Sequence, residues 1–249
     1  MPLERVLVVG AGAWGTALAQ AAAIAGREVG LLGRDARVAD AINQTHRNPG
    51  YLGDIALSER IVATLDSDAV PPADLVILAV PAQASRDMLS TIGACPLAGK
   101  PVVLAAKGLE HGTLLRQSEI LGEIAPEARP LVLSGPSFAA DVASGRPTAV
   151  TLAGRDDDLT VAVATALASR SFRPYQSADL VGVELAGALK NIYALGCGAV
   201  EGAGLGASAR AALLARGYAE MARLVAAMGG EAGTLTGLAG LGDLTLTCT

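Results

Sequence analysis

Two lysines and one aspartate, far apart in this 249-residue chain, are the residues best suited to acid–base chemistry on a small anionic molecule. Lys190 stands in Gly187-Ala188-Leu189-Lys190-Asn191, and its neighbours one helical turn away are Ala186, Gly187, Tyr193 and Ala194. Small residues there leave room for a ligand and offer no carboxylate to neutralise the charge. A free lysine titrates near ~10.4, and burial or a second cation lowers that value. Such a lysine gives and takes a proton near neutrality. Lys107, in Ala106-Lys107-Gly108-Leu109, is the candidate second cation, suited to a phosphate or a developing alkoxide. Asp243 follows two glycines and is placed to orient Lys190 by hydrogen bonding, or simply to cap a helix. Plain structural readings stand beside these: a surface lysine at a strand end, and a lysine snorkelling from a mostly buried helix.

A second pattern is made of backbone. Gly10-Ala11-Gly12-Ala13-Trp14-Gly15 matches G-x-G-x-x-G, follows the apolar run Arg5–Val9 and opens a helix-length segment. In that context Gly10 permits the tight turn, Gly12 lets a pyrophosphate approach the backbone and Gly15 lets helix and strand pack closely. The helix N-terminus adds free N–H groups and partial positive charge. The next strand ends Leu32-Gly33-Arg34-Asp35, where NAD-selective sites carry an acid for the ribose hydroxyls. Arg34 suits a 2′-phosphate, so NADP is expected alongside NAD, unless Arg34 is only a solvated charge. Asp35 is a candidate cap for the following helix. In Ser134-Gly135-Pro136-Ser137-Phe138-Ala139, Pro136 or Ser137 is positioned to start a helix and turn the Ser137 hydroxyl toward the same crevice, with ordinary turn chemistry as the alternative. Asn191 is read as a partner for the substrate or a cofactor amide.

The elements that must position these residues alternate. Strands are expected at Arg5–Val9, Glu28–Leu32, Ile61–Thr64, Leu75–Val80, Val102–Ala105, Leu131–Leu133 and Thr148–Leu152. Helices are expected near Trp14–Ala25, Ala36–Thr45, Ser85–Ile92, Leu114–Glu123 and Leu159–Ala168. This alternation predicts an α/β fold with a Rossmann-type doubly wound sheet. The unbroken apolar run at Leu75–Val80 suits a strand covered on both faces. Lys107 then lies at the C-terminal end of the fifth strand, the edge at which open sheets bind ligands. From Asp179 onward strand signals stop, and segments 179–200 and 207–228 read as helices. The expected division is a dinucleotide-binding domain at 1–180 and an all-α domain at 181–249.

Composition narrows the function classes. Hydrophobic residues make up 51% and mean hydropathy is +0.44, yet alanine and valine dominate in short runs. No stretch reaches the roughly 18 uninterrupted apolar residues of a spanning helix, so a soluble chain is expected. A net charge of −5 gives no nucleic-acid footprint. Three scattered cysteines and two distant histidines, His46 and His111, fit no metal pattern and suit a reducing cytoplasm.

Four segments in order, those around Lys107, Gly135, Lys190 and Asp243, together with the glycine turn, make the chain resemble the bacterial-type NAD(P)-dependent glycerol-3-phosphate dehydrogenase family from residue 5 to the last residue. The resemblance implies that Ala13, Trp14, Arg34, Tyr51, Lys107 and Ala139 line the NAD(P) site. It implies that Lys107, Gly135, Ser137, Lys190 and Asp243 contact a three-carbon phosphate, with Lys190 as proton acceptor in the oxidative direction and Thr247 a further candidate. The implied reaction interconverts dihydroxyacetone phosphate and sn-glycerol 3-phosphate, feeding phospholipid synthesis. Gly53 and Ser208 depart from the family pattern outside the chemistry. Family members continue into a Ser-x-Arg-Asn segment whose arginine grips the phosphate. The resemblance therefore implies a part of a longer protein, slow or inactive in turnover, with apolar helical surface that a homodimer would cover. Competing readings are a β-hydroxyacid dehydrogenase, against which stands the absence of Lys-x-x-x-Asn, and a dinucleotide-binding module without turnover.

Overall fold

The computed structural model describes residues 3–66 and 72–248. Its first half is built from strands β1 (Arg5–Val9), β2 (Glu28–Leu32), β3 (Ile61–Thr64), β4 (Leu75–Leu78) and β5 (Pro101–Leu104), with helices α1 (Ala13–Ile24), α2 (Ala36–Thr45), α3 (Pro49–Leu52) and α4 (Ser85–Ile92) between them. Then follow α5 (Gln117–Ile124), β6 (Arg129–Ser134), α6 (Ala139–Ala143), β7 (Thr148–Gly154), α7 (Asp157–Leu167) and β8 (Phe172–Ser177). Helices α8 (Leu180–Gly202), α9 (Gly206–Ala227) and α10 (Asp243–Cys248) complete the described chain.

Among the described residues the strands form one sheet in the order β3-β2-β1-β4-β5-β6-β7-β8. The order reverses between β1 and β4, with β2 and β4 both parallel to β1, which opens the crevice where doubly wound folds bind ligands. Side chains alternate across the sheet. Val6, Val8, Leu75 and Ile77 join the core on one face, Leu7, Val9, Val76 and Leu78 that on the other. Alanine lets α1 lie close to the first face, with every residue from Gly15 to Ala23 buried. That accounts for much of the hydropathy without a membrane. The second face continues without a break into Leu180, Val183, Met221, Val225 and Leu244, so the helical part shares the core of the sheet.

The structure departs from the expected elements in informative ways. Sequence reading missed β8, and β7 runs antiparallel to β6. Helix α5 starts at Gln117 rather than at Leu114, which takes a left-handed φ of 60° after Gly112 at 87°. The helix opens instead with Glu119, whose carboxylate accepts from Arg116 N at 2.9 Å and from the Arg116 guanidinium at 2.7 Å. By length and composition α8 is able to cross a membrane, yet 56% of its most apolar window is buried inside the protein.

Asp179 fixes the start of α8. Its carboxylate accepts from Gly182 N (2.8 Å), from Glu231 N (2.9 Å) and from the Thr234 hydroxyl (2.5 Å). One side chain thus caps the helix and ties it to the segment after α9.

Candidate active site

The glycine turn has the geometry its spacing predicts. Gly10 adopts φ +112°, and a β-carbon there would lie 2.6 Å from the Ala79 carbonyl oxygen. One on Gly15 would run into the Gly10 carbonyl. Gly12 is different: a β-carbon there meets nothing nearer than Tyr51 Cε1 at 4.0 Å. Its open face lies at the N-cap of α1, where Ala13 and Trp14 begin the helix. Free N–H groups and the helix dipole thus face that space. Trp14, Ala13 and Ala139 pack on one core with Ala11 and Ala79. Arg34 is exposed and has no hydrogen-bond or ion-pair partner among the described residues, so its charge is available to a ligand. Asp35 caps α2 by accepting from Arg37 N at 2.9 Å. An open glycine face, a helix N-terminus and an available cation fit a dinucleotide.

Sequence reading missed the residue that holds this turn. Asn48 is fully buried and its amide donates to the Ala11 carbonyl (3.1 Å) and to Thr16 Oγ1 (2.9 Å). It is also the N-cap residue of α3, the helix that carries Tyr51. The Asn48-Pro49 pair signals a turn, but a turn signal does not reveal a buried side chain.

The chemistry-bearing residues meet at the C-terminal edge of the sheet. Lys190 Nζ, on α8, donates to Asp243 Oδ1 at 2.5 Å and to Thr247 Oγ1 at 2.9 Å. Lys107 Nζ, just past β5, donates to Asp243 Oδ2 at 2.7 Å and to the Gly135 carbonyl at 3.1 Å. One carboxylate, 1% exposed, is shared by two ammonium groups. Burial, offset in part by Asp243 and reinforced by Lys190, pushes Lys107 down to about 8. Although Asp243 begins α10, its carboxylate is bound by the lysines rather than capping the helix.

Two expectations need correction. Ser137 does not start a helix: α6 begins at Ala139, and the Ser137 hydroxyl donates to the Gly135 carbonyl at 3.0 Å, the acceptor that Lys107 also uses. The room beside Gly187 is occupied by protein. A β-carbon there would lie 2.9 Å from Ser134 Oγ and 3.4 Å from Lys107 Cγ, so the glycine admits the lysine stem. Asn191 is exposed and reaches the Lys107 carbonyl at 3.5 Å.

A doubly wound sheet with a glycine turn at its switch point defines the class: a dinucleotide-binding protein of the Rossmann type. Residues 5–160 match the family model for the NAD-dependent glycerol-3-phosphate dehydrogenase N-terminus, and residues 179–249 match that for its C-terminus. The glycerol-3-phosphate dehydrogenase (NAD(P)+) of Parvibaculum lavamentivorans is 52% identical over 98% of this chain and 74% of its own length. That of Rhodospirillum rubrum is 51% identical over 99% of this chain and 71% of its own. The crystal structure of the Coxiella burnetii glycerol-3-phosphate dehydrogenase superposes with a TM-score of 0.93 at 37% identity, covering 99% of this chain and 76% of that one. The chain belongs to the NAD-dependent glycerol-3-phosphate dehydrogenase family, and the β-hydroxyacid reading is set aside.

Proposed function

We propose that this chain reduces dihydroxyacetone phosphate at its C2 carbonyl, and oxidises sn-glycerol 3-phosphate in the reverse direction, with Lys190 as the residue that gives and takes the proton. The carrying observation is one buried carboxylate shared by two ammonium groups. With all three ionised, the trio keeps one positive charge. Each ammonium has three donors. Lys190 uses two, on Asp243 and Thr247, and Lys107 uses two, on Asp243 and Gly135. One N–H on each is left for a substrate oxygen. Asp243 and Thr247 hold the Lys190 head against the drift of a four-carbon stem, which supplies orientation. The residual charge stabilises the alkoxide as it forms.

A bound nicotinamide supplies or accepts the hydride. Gly10, Gly12, Ala13, Trp14, Gly15, Arg34, Tyr51, Lys107 and Ala139 are proposed to hold the NAD(P), with Arg34 toward the 2′-phosphate of NADP. Lys107, Gly135, Ser137, Lys190, Asn191, Asp243 and Thr247 are proposed to contact the three-carbon phosphate. The division between dinucleotide-binding and helical parts is placed at residue 180. The product supplies glycerophospholipid synthesis. A cytoplasmic location and a homodimer stand as proposals, the latter supported by Ile192 and Leu195 on α8, which are 62% and 77% exposed.

The test is Lys190→Ala in the full-length protein. Turnover falls about 10²–10⁴-fold, the usual worth of a general acid–base group, while fluorescence titration gives an NADPH affinity within a few-fold of wild type. Retained turnover transfers the proton role to another group, Lys107 first.

A further inference from the structure

The loop that carries Lys107 is held in an unusual way. Among the described residues, positions 106–109 make no backbone-to-backbone hydrogen bond. Three successive carbonyls are instead taken by three side-chain amides from three different elements. Asn191 on α8 donates to the Lys107 carbonyl at 3.5 Å, Gln117 at the start of α5 to the Gly108 carbonyl at 3.0 Å, and Gln83, in the turn after β4, to the Leu109 carbonyl at 2.8 Å. Gln83 also accepts from His111 N at 2.8 Å, which closes the far end of the loop. Gly108 presses on the same turn, since a β-carbon there would lie 3.0 Å from Ala82 Cβ.

Gln117 is the buried member, 1% exposed, and its Oε1 has no partner among the described residues. Its single hydrogen bond reaches back nine residues to the loop. Burying an amide with one end unpaired is unfavourable, and the one hydrogen bond its side chain makes among the described residues is to the loop. Lys107 Nζ must reach Gly135 O and Asp243 Oδ2 together, and these acceptors sit on separate segments, so a small movement of the loop loses one of them.

We propose that Gln117, seconded by Gln83, is a positioning residue for the reaction: the amide clamp on the Gly108 and Leu109 carbonyls fixes the backbone from which Lys107 reaches the Asp243 carboxylate. This rests on the reading that Lys107 takes part in the chemistry. Neither glutamine touches the reacting groups. Each acts through Lys107, whose ammonium is tied to Asp243 and Gly135, and therefore affects turnover more than cofactor affinity, which weakens only as far as Lys107 also holds the NAD(P).

A double-mutant cycle in the full-length protein tests it. Gln117→Leu keeps the buried bulk and removes the donor. Displacements of about 1 Å cost on the order of 10²-fold, so kcat falls roughly 10- to 100-fold, with a smaller change in KM for NADPH. Hydrogen exchange at the Glu110 and His111 amides, the hydrogen-bonded N–H groups at the far end of the loop, rises while that of α1 is unchanged. On a Lys107→Ala background the same substitution adds almost nothing, as expected of residues acting through one group. Gln83→Ala, at an exposed position that does not threaten folding, gives a smaller loss with the same non-additivity, and it decides the matter if Gln117→Leu does not fold. Wild-type kcat in Gln117→Leu, or a loss that multiplies with that of Lys107→Ala, overturns the clamp. A fully active Lys107→Ala overturns the site reading instead, and the exchange measurement then judges the clamp alone.

Discussion

The two halves of the site are made in opposite ways. The dinucleotide turn is backbone: three glycines within six residues, a helix N-terminus, and the Asn48 amide fastening the Ala11 carbonyl. The lysine cluster is side chain: Lys107, Lys190 and Asp243 come from a loop, a long helix and a short one, joined at one carboxylate. A backbone site is written in consecutive residues because the conformation itself needs particular residue types. A side-chain site needs only that distant segments arrive together. Damage to the first therefore acts on folding or cofactor affinity, and damage to the second on turnover and on buried charge.

The strongest way to break this contrast is Gly15→Ala. Its β-carbon runs into the Gly10 carbonyl, so backbone must move, and we expect a loss of at least about 3 kcal/mol, at the upper end for overpacking in a tight interior. Chemical denaturation measures it, and wild-type stability would mean that the turn is not close-packed. Asp243→Asn comes next. It strips two buried ammonium groups of their shared counter-charge, and breaking a buried ion pair costs about 3–5 kcal/mol. The expected signature is a lower denaturation midpoint together with a loss of turnover, in contrast to Lys190→Ala, where turnover falls and NADPH binding persists. Arg34→Asp probes the cofactor side alone. A charge-assisted contact contributes about 1.5–3 kcal/mol, so NADPH binding weakens roughly 10- to 100-fold by titration while NADH changes little. Equal loss of both cofactors removes Arg34 from the 2′-phosphate.

A subtler comparison uses pH. Lys107 is held down to about 8, chiefly by burial, against a free value of 10.5. The folded protein therefore binds fewer protons than the unfolded chain between about 8 and 10.5, and stability attributable to Lys107 rises with pH through that window. Below about 8 its unfavourable charge burial is fully present. Relative to Lys107→Met, wild type should gain stability from pH 8 to pH 10 in denaturant titrations. A constant difference would show that the ammonium is not desolvated. Smallest of all is the effect of Gly12→Ala on folding. Its β-carbon meets open space, so we expect stability within about 1 kcal/mol of wild type, consistent with the typical range for single substitutions, alongside weakened cofactor binding. Set against Gly15→Ala, that pair separates a glycine required by the fold from one required by a ligand.

The same contrast explains what the sequence made legible. Strands β1, β2 and β3 and helices α2 and α4 were readable to the residue, because apolar runs and caps such as Asp35 mark their ends. Strand β8 was not: Phe172-Arg173-Pro174-Tyr175-Gln176-Ser177 carries a proline and no β-branched residue, and it lies as the outer strand of the sheet, where a missing N–H is tolerated. The reversal of β7 is likewise invisible, since residue types do not encode strand direction. In the site, the hydrogen bond between Lys190 and Asp243 was expected from their segments, but the sharing of that carboxylate with Lys107 was not. Asn48 and Gln117 were missed because a buried amide and a solvated one look alike in sequence, and Gln83 because an exposed amide does not announce the carbonyl it meets. The room beside Gly187 was legible as room, and its occupant, the stem of Lys107, was not.

The carboxylate of Asp243 is 136 residues from Lys107 and 53 from Lys190 along the chain. During synthesis, N-terminal regions leave the ribosome and begin to fold first. The glycine turn, Asn48 and the first strands emerge long before Asp243 does, whereas the lysines lack their common counter-ion until the tenth helix has been made. Order of translation thus separates the two in time: the residues of the glycine turn are made well before the one carboxylate that both lysines share.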